Sequence, residues 1–286
     1  FCKDYQETPG GKGANQAVAA ARLGADVSMV GHIGDDRNGR ILLDNLMKNG
    51  VDVKDVLVDS KTQTGMANIL VDGGTGKYTC YVVLGGNDRI VDRQVETALE
   101  RRKYDMVLMQ LEMPLETVYR TFELASKKGV PVFLDAGPAM EIDLERLNGI
   151  FLISPNESET AALTGILPDS MESAEKAAKL LFQLAKPQYV LLKLGSRGAF
   201  LYDGKISERI PCYTEIKAVD STAAGDTFGA AFAVRYCMGA DIRSSVQYAH
   251  AAAGICVSQR GAQSSIPDAN EVARFLNSRK EGAVCG

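Results

Sequence analysis

Apolar and polar positions along the chain alternate between two periods. "KGANQAVAAARLG" reads as an alanine-rich helix stopped at Gly24, and "DRNGRILLDNLMKNG" as an amphipathic helix ending at Gly50. "ADVSMVGHIG" between them has the β-branched, bounded character of a strand. "TGMANILVD" and "KYTCYVVL" form a predicted β-hairpin, with Gly73, Gly74 and Gly76 serving its turn. The centre of the chain then repeats a strand–helix order. "YDMVLMQLE", "VPVFLDA", "GIFLISPN" and "QYVLLKLG" are buried-type strands, while "LETVYRTFELASKKG", "ESETAALTG" and "ESAEKAAKLLFQLAK" are helices. The tail is helical through "DTFGAAFAVRYCMG", "IRSSVQYAHAAAGICVSQ" and "ANEVARFLNSR". Such alternation predicts an α/β fold with a mainly parallel sheet and helices on its faces. No repeat or linker divides the 286 residues, so residues 1–286 read as one domain.

Composition narrows the partners. With 45% hydrophobic and 24% charged residues and a net charge of −4, neither nucleic acid nor an anionic membrane is expected as a partner. No apolar run approaches the roughly 18 residues of a membrane span. The six cysteines are scattered without a CxxC pair, as expected of a reduced cytoplasmic protein without a disulfide framework.

Two glycine clusters fail as nucleotide motifs. In "GGTGKYT", Tyr78 stands where a Walker loop needs Ser or Thr, and Val71 where its first glycine belongs. "GKGANQ" departs from the dinucleotide fingerprint at Gln16 and follows no visible strand. By default, Lys12 and Lys77 are therefore loop lysines. The only histidines are His32 and His250, too few for a histidine metal centre. His250, within a predicted helix, reads equally as a packed side chain or a ligand contact.

"AVDSTAAGDTFGAAF" carries more chemistry. Its small residues fit a tight loop feeding a helix, with Gly225 permitting close backbone approach or a positive φ. Backbone N–H groups around Ala223, Ala224 and Gly225, at the positive end of the helix dipole, would make an anion site. Asp226 is then either a first-turn acid that favours the dipole or a base beside the anion. Asn156 and Glu159 are three apart at a strand-to-helix junction: either a cap with a surface acid, or two groups facing one site. Glu112 ends an apolar strand, where sheets present functional residues.

Together these segments resemble the ribokinase-like branch of the phosphofructokinase-B carbohydrate kinases, nearly end to end. "GGKGANQAVAAARLGA" with "VGHIGDDRNG" is similar to that family's N-terminal signature, and "DSTAAGDTFGAAFA" to its C-terminal one. "LMQLEMP", "SPNESE", "LKLGSRG" and "AHAAAGICVSQRGAQSSIP" follow in the family's order. The resemblance implies a three-layer fold with a small β lid, and ATP-dependent phosphorylation of the ribose 5-hydroxyl. It implies Asp226 as base and Ala223, Ala224 and Gly225 as the anion hole. It also implies a sugar site from Gly11, Lys12, Gly13, Ala14 and Asn15 with Glu112 and Asp226. Nucleotide contacts would come from Asn156, from Lys193, Leu194, Gly195, Ser196, Arg197 and Gly198, and from Gly225 and His250. Glu159 would serve Mg2+ through phosphates and water. Asp220, Thr222, Cys256, Gln259, Gly261 and Ser265 would build an activating K+ site.

The remaining expectations concern acceptor, assembly and departures. The same fold carries kinases of other sugars or nucleosides, such as 2-deoxyribose or fructose, and non-catalytic sugar- or nucleotide-binding paralogues. The relatives' mode of pairing, a homodimer through lid strands, is the association to test. Ser221 replaces a usual Thr, and Lys193 adds a charge where close relatives commonly have Thr. The chain opens at Phe1, and the family's first strand with its Asn-x-Asp sugar clamp has no counterpart. Roughly thirty residues, a βα element of ordinary length and part of the lid, are expected to be missing.

Overall fold

The structure is a computed structural model that describes residues 5–71 and 78–284; the turn glycines Gly73, Gly74 and Gly76, and Lys77, lie outside the described residues. The central sheet has six strands in the order β10-β9-β8-β7-β6-β5. These are β5 (Val107–Met109), β6 (Val132–Leu134), β7 (Leu152–Ile153), β8 (Tyr189–Lys193), β9 (Ala199–Tyr202) and β10 (Ser207–Ile210). From β5 to β8 the pairing is parallel, and β9 and β10 continue it antiparallel.

The period-two alternation of these strands divides the core into two halves. Phe133, Leu152, Leu191 and Leu201 point to one face, where they meet Ala17–Ala20 of α1 (Lys12–Arg22), Phe228 and Phe232 of α7 (Ala224–Cys237), and Val246 and Ala249 of α8 (Ile242–Val257). Their strand neighbours Val132, Leu134, Ile153, Val190 and Leu192 point to the other. There they pack on Val118 and Leu124 of α4 (Leu115–Lys127) and on Ala177 and Leu181 of α6 (Met171–Ala185). The result is the expected three-layer α/β arrangement. The alanines of α1 and α7 let both helices approach closely, and Phe133 meets Phe232 edge-on with centroids 5.7 Å apart.

Three further elements complete the layers: α2 (Arg37–Lys48), α3 (Asp92–Arg101) and α9 (Ala269–Val284). α5 (Glu157–Thr164) follows β7. β1 (Ser28–Gly34) pairs in parallel with β2 (Asp52–Asp59), and β3 (Met66–Val71) pairs antiparallel with β4 (Tyr78–Val83) in the predicted hairpin. Among the described residues, β1 is not joined to the β5 edge of the main sheet. A continuous cavity of about 2360 Å³ separates them, lined by Met29 and Val30 of β1, Leu108 of β5, Ala20 of α1 and Val234 of α7. It opens into the cleft that holds Lys12, Asn15, Glu112 and Asp226.

Candidate active site

The parallel strands end on the same side of the sheet, and four polar residues follow from that geometry. Glu112 and Asp135 lie just beyond β5 and β6, Asn156 beyond β7, and Lys193 is the last residue of β8. Open α/β sheets bind ligands at this carboxyl edge. Opposite it stand the N-termini of α1 and α7, which carry unpaired N–H groups and positive dipole ends.

α1 begins after Gly11, whose φ of 90° a residue with a side chain would strain to adopt. The Lys12 N–H donates to Glu112 Oε2 at 3.1 Å, so the acid after β5 caps this helix. Asn15 Nδ2 donates to Asp226 Oδ2 at 2.8 Å, and Lys12 Nζ lies 4.0 Å from Asp226 Oδ1. The predicted sugar loop, Glu112 and Asp226 therefore converge. Gly13 packs against Gln110, and Ala14 lines the same cleft.

α7 begins at Ala223 in a left-handed conformation, φ 60°. This corrects the expectation for Gly225: the positive φ belongs to an alanine at a cost of roughly 1–2 kcal/mol, and Gly225 is helical. The N–H groups of Gly225 and Asp226 have no intrahelical acceptor by helix geometry. A Cβ at Gly225 would stand 3.7 Å from Lys193 Nζ, which places that ammonium at the helix start. Backbone donors and a lysine thus favour an anion at one point.

Asp226 is 6% exposed. Burial pushes its carboxyl up to about 6, reinforced by Asp135, while Lys12, the Asn15 hydrogen bond and Lys193 oppose the shift. A buried carboxylate poised near neutrality is suited to take a proton at physiological pH. For Lys12, burial is outweighed by Asp226, Asp135, Glu159 and Glu112, which hold the ammonium above its ordinary range.

Asn156 and Glu159 form the predicted cap, but the acid is not on the surface. Asn156 Oδ1 accepts the Glu159 N–H at 2.9 Å and Glu159 Oε2 accepts the Asn156 N–H at 2.7 Å, a capping box on α5. Glu159 is nevertheless buried, with Lys193 Nζ 3.8 Å away. Glu159 Oε1 and Lys12 Nζ press so closely on Gly137 that a Cβ there would meet them at 2.5 and 2.8 Å.

The segment Lys193–Gly198 folds into a tight turn. The Leu194 N–H donates to Gly198 O at 2.9 Å, Gly195–Arg197 make one short helical turn, and Ser196 is exposed. Arg197 pins the turn through Pro168 O at 2.6 Å and Glu157 at 3.4 Å. His250 lies apart from these groups, 7% exposed and packed on Phe228 with centroids 5.1 Å apart. Burial drops its pKa to about 4, so the imidazole is neutral.

A second cluster lies behind the anion loop. Asp220 accepts from the Thr222 N–H at 2.9 Å and the Gly261 N–H at 2.9 Å, tying two loops together. Ser265 Oγ donates to Gly261 O at 2.7 Å and lies 3.2 Å from Cys256 Sγ, which is itself 3.6 Å from Thr222 O. Gln259 is exposed and joins through its N–H to Cys256 O at 3.2 Å. Burial works against the Asp220 charge, but hydrogen bonds from Thr222 and Gly261, with Arg260 nearby, hold its carboxyl below the usual range. Among the described residues there is no acidic, His or Cys group of three that could hold a metal ion.

Three site residues were not anticipated. Asp135 is 2% exposed, ion-paired with Lys193, and accepts from Gln16 Nε2 at 2.8 Å. Gln16 in turn accepts from Gln110. Asp135 ends the strand "VPVFLDA" as Glu112 ends its own, so strand-end position was an available signal. Gln16 had none, because its neighbours read as ordinary helix.

A sheet edge that presents acids and a lysine to two helix N-termini, with a buried carboxylate beside a group of backbone donors, has the chemistry that phosphoryl transfer needs. The model of the pfkB family of carbohydrate kinases matches residues 2–269, and the chain belongs to that family. Within it, the chain is 39% identical over 274 residues to ribokinase from Bacillus subtilis (strain 168), covering 96% of this chain and 89% of the relative. It is 38% identical over 277 residues to ribokinase from Haemophilus influenzae, with coverage of 96% and 89%. The solved structure of Arabidopsis thaliana ribokinase complexed with ribose and ATP matches with a TM-score of 0.88 at 33% identity, covering 96% of this chain and 89% of that one.

Proposed function

We propose that this chain transfers the γ-phosphoryl group of ATP to the 5-hydroxyl of D-ribose. The observation that carries the proposal is buried Asp226 at the start of α7, held by Asn15 and Lys12 on the sugar-loop side and adjoining Gly225 and Lys193 on the other. In this reading, Lys12 to Asn15 and Glu112 hold the sugar, and Asp226 accepts the proton of the attacking hydroxyl. The N–H groups after Ala223 and the Lys193 ammonium stabilise charge on the transferring group. The turn Leu194–Gly198 and Asn156 contact the nucleotide, with His250 behind it as a neutral packing partner.

Glu159, buried beside Lys193 and Asp135 with no protein cage of acidic, His or Cys groups among the described residues, suits Mg2+, which is held largely by phosphates and water. When bound, it would screen the phosphate charges. The oxygens gathered by Thr222, Gly261 and Ser265 beside Asp220 and Cys256 suit K+, and Gln259 borders them. The hairpin β3–β4 exposes Met66, Ile69, Leu70, Tyr81 and Val82 because two strands alone bury neither face. Pairing with a second copy through this lid would cover them. No helix among the described residues is long and apolar enough to cross a membrane, and the free thiols of Cys80, Cys212, Cys237 and Cys256 suit a cytoplasmic setting.

A sugar panel with ATP, Mg2+ and either K+ or Na+ tests the proposal. D-Ribose should give the highest kcat/KM, with K+ more effective than Na+. Preference for fructose or a nucleoside would reassign the acceptor, and turnover of none would remove the enzymatic reading.

A further inference from the structure

Asp226 is the end of a directed chain of amides, two of them buried and the outermost, Asn45, half-buried. Asn15 Nδ2 donates to Asp226 Oδ2 at 2.8 Å, Gln263 Nε2 donates to Asn15 Oδ1 at 3.1 Å, and Asn45 Nδ2 on α2 donates to Gln263 Oε1. Asn15 and Gln263 are both 5% exposed, so water does not readily substitute for either partner. Arg22 fixes the Gln263 backbone, donating to Gln263 O and Ile266 O at 2.8 Å each. Gln263 also opens the short turn to Ser265, in the loop that carries Gly261.

Chemistry at one end sets the direction of every link. An ionised carboxylate only accepts, so Asn15 must present its N–H2 to Asp226 and its oxygen to Gln263. Gln263 must then present its own N–H2 to Asn15 and its oxygen to Asn45. Reversing any amide reverses all those between it and Asp226.

We propose that Gln263 is a positioning residue that fixes the Asn15 amide, keeping Asp226 Oδ2 occupied and leaving Oδ1 as the oxygen that receives the proton. This rests on the proposed phosphoryl transfer. Oδ1 is the atom facing Lys12, and the second N–H of Asn15 stays free for the acceptor sugar. The groups that face Asp226 from neighbouring elements, Lys12, Asp135 and Lys193, are not part of the chain of amides.

Asn45→Asp tests the relay from outside the site. The carboxylate introduced there can only accept, so Gln263 must turn its N–H2 toward it and its oxygen toward Asn15, which then presents oxygen to Asp226. We expect kcat to fall about tenfold, with KM for ATP within twofold and an unchanged melting temperature. In a Gln263→Met background the relay is cut, so Asn45→Asp should change kcat less than twofold; a general charge effect would persist there. A 13C carboxyl titration reads the same event without turnover: the Asp226 signal should titrate at higher pH in Asn45→Asp, and not when Gln263 is replaced by Met. An unchanged kcat and Asp226 titration in Asn45→Asp, or an equal effect in both backgrounds, would overturn the relay. Absence of sugar turnover in the parent chain would refute the proposed reaction instead, and the titration would still decide the relay.

Discussion

Asp226→Asn separates catalysis from stability, because the same burial acts on both in opposite directions. A carboxyl held at about 6 instead of 3.8 is ionised at neutral pH at a cost to the fold of about 3 kcal/mol relative to the unfolded chain. Asparagine keeps the shape and removes that cost. It also deprives Lys12 of one of four carboxylates, although Asp135, Glu159 and Glu112 remain. The net gain should be about 1–2 kcal/mol, or about 2–6 °C in melting temperature. Because the folded value is raised, the penalty is complete above about pH 6 and fades as pH falls toward 3.8. The stabilisation should therefore be present at pH 7.5 and absent near pH 4. Over the same substitution kcat should fall by about 10²–10⁴, the range for loss of a general base, with ATP affinity little changed. Scanning calorimetry at the two pH values, with steady-state kinetics at pH 7.5, makes the test. Near-wild-type turnover, or a variant that is less stable at pH 7.5, would refute the reasoning.

Two further outcomes follow from the same geometry. Lys12→Met removes a charge that lowers the Asp226 pKa. The acid limb of kcat/KM, expected near pH 6 for the parent, should move to higher pH, and an unmoved limb would mean that Asp226 is not the titrating base. Ala223→Gly relieves the left-handed strain at the α7 cap but loosens the unfolded chain, so chemical denaturation should show a gain of up to about 1 kcal/mol with kcat preserved. A loss of stability would place the cost of the cap elsewhere.

The helices were the most legible part of the fold. Ser170 and Asp241 cap α6 and α8 with their side chains, and both helices lie where their apolar spacing put them. The four strands and three helices that build the parallel half were equally plain, because strands buried on both faces read as continuous apolar runs. β2, β9, β10 and α3 were not anticipated. "DVKDVLVD" and "SERI" mix charge into short strands that are only partly buried, and "DRQVETALER" is too polar for its narrow apolar stripe to stand out. Within the site, Glu112 and Asp226 were legible because one follows a strand and the other opens a helix, whereas Asn15 and Lys12, by default a loop lysine but here the first residue of α1, entered only through the family resemblance. Asp135, Gln16 and Gln263 work through tertiary hydrogen bonds between segments more than a hundred residues apart, which local pattern does not encode. The helix start at "STAAGD" indicated an anion site, but which residue takes the left-handed turn depends on packing: Ala223 is pressed against Cys256 and Ala262.

The central claim is transfer of a phosphoryl group to one oxygen of one sugar. Incubation with 13C-labelled D-ribose, ATP, Mg2+ and K+, followed by 13C and 31P NMR, reads the position directly. The expected result is a single product whose C5 carbon couples to phosphorus, absent in the Asp226→Asn variant. Phosphate on C1, or ATP consumed with no phosphorylated ribose, would contradict it.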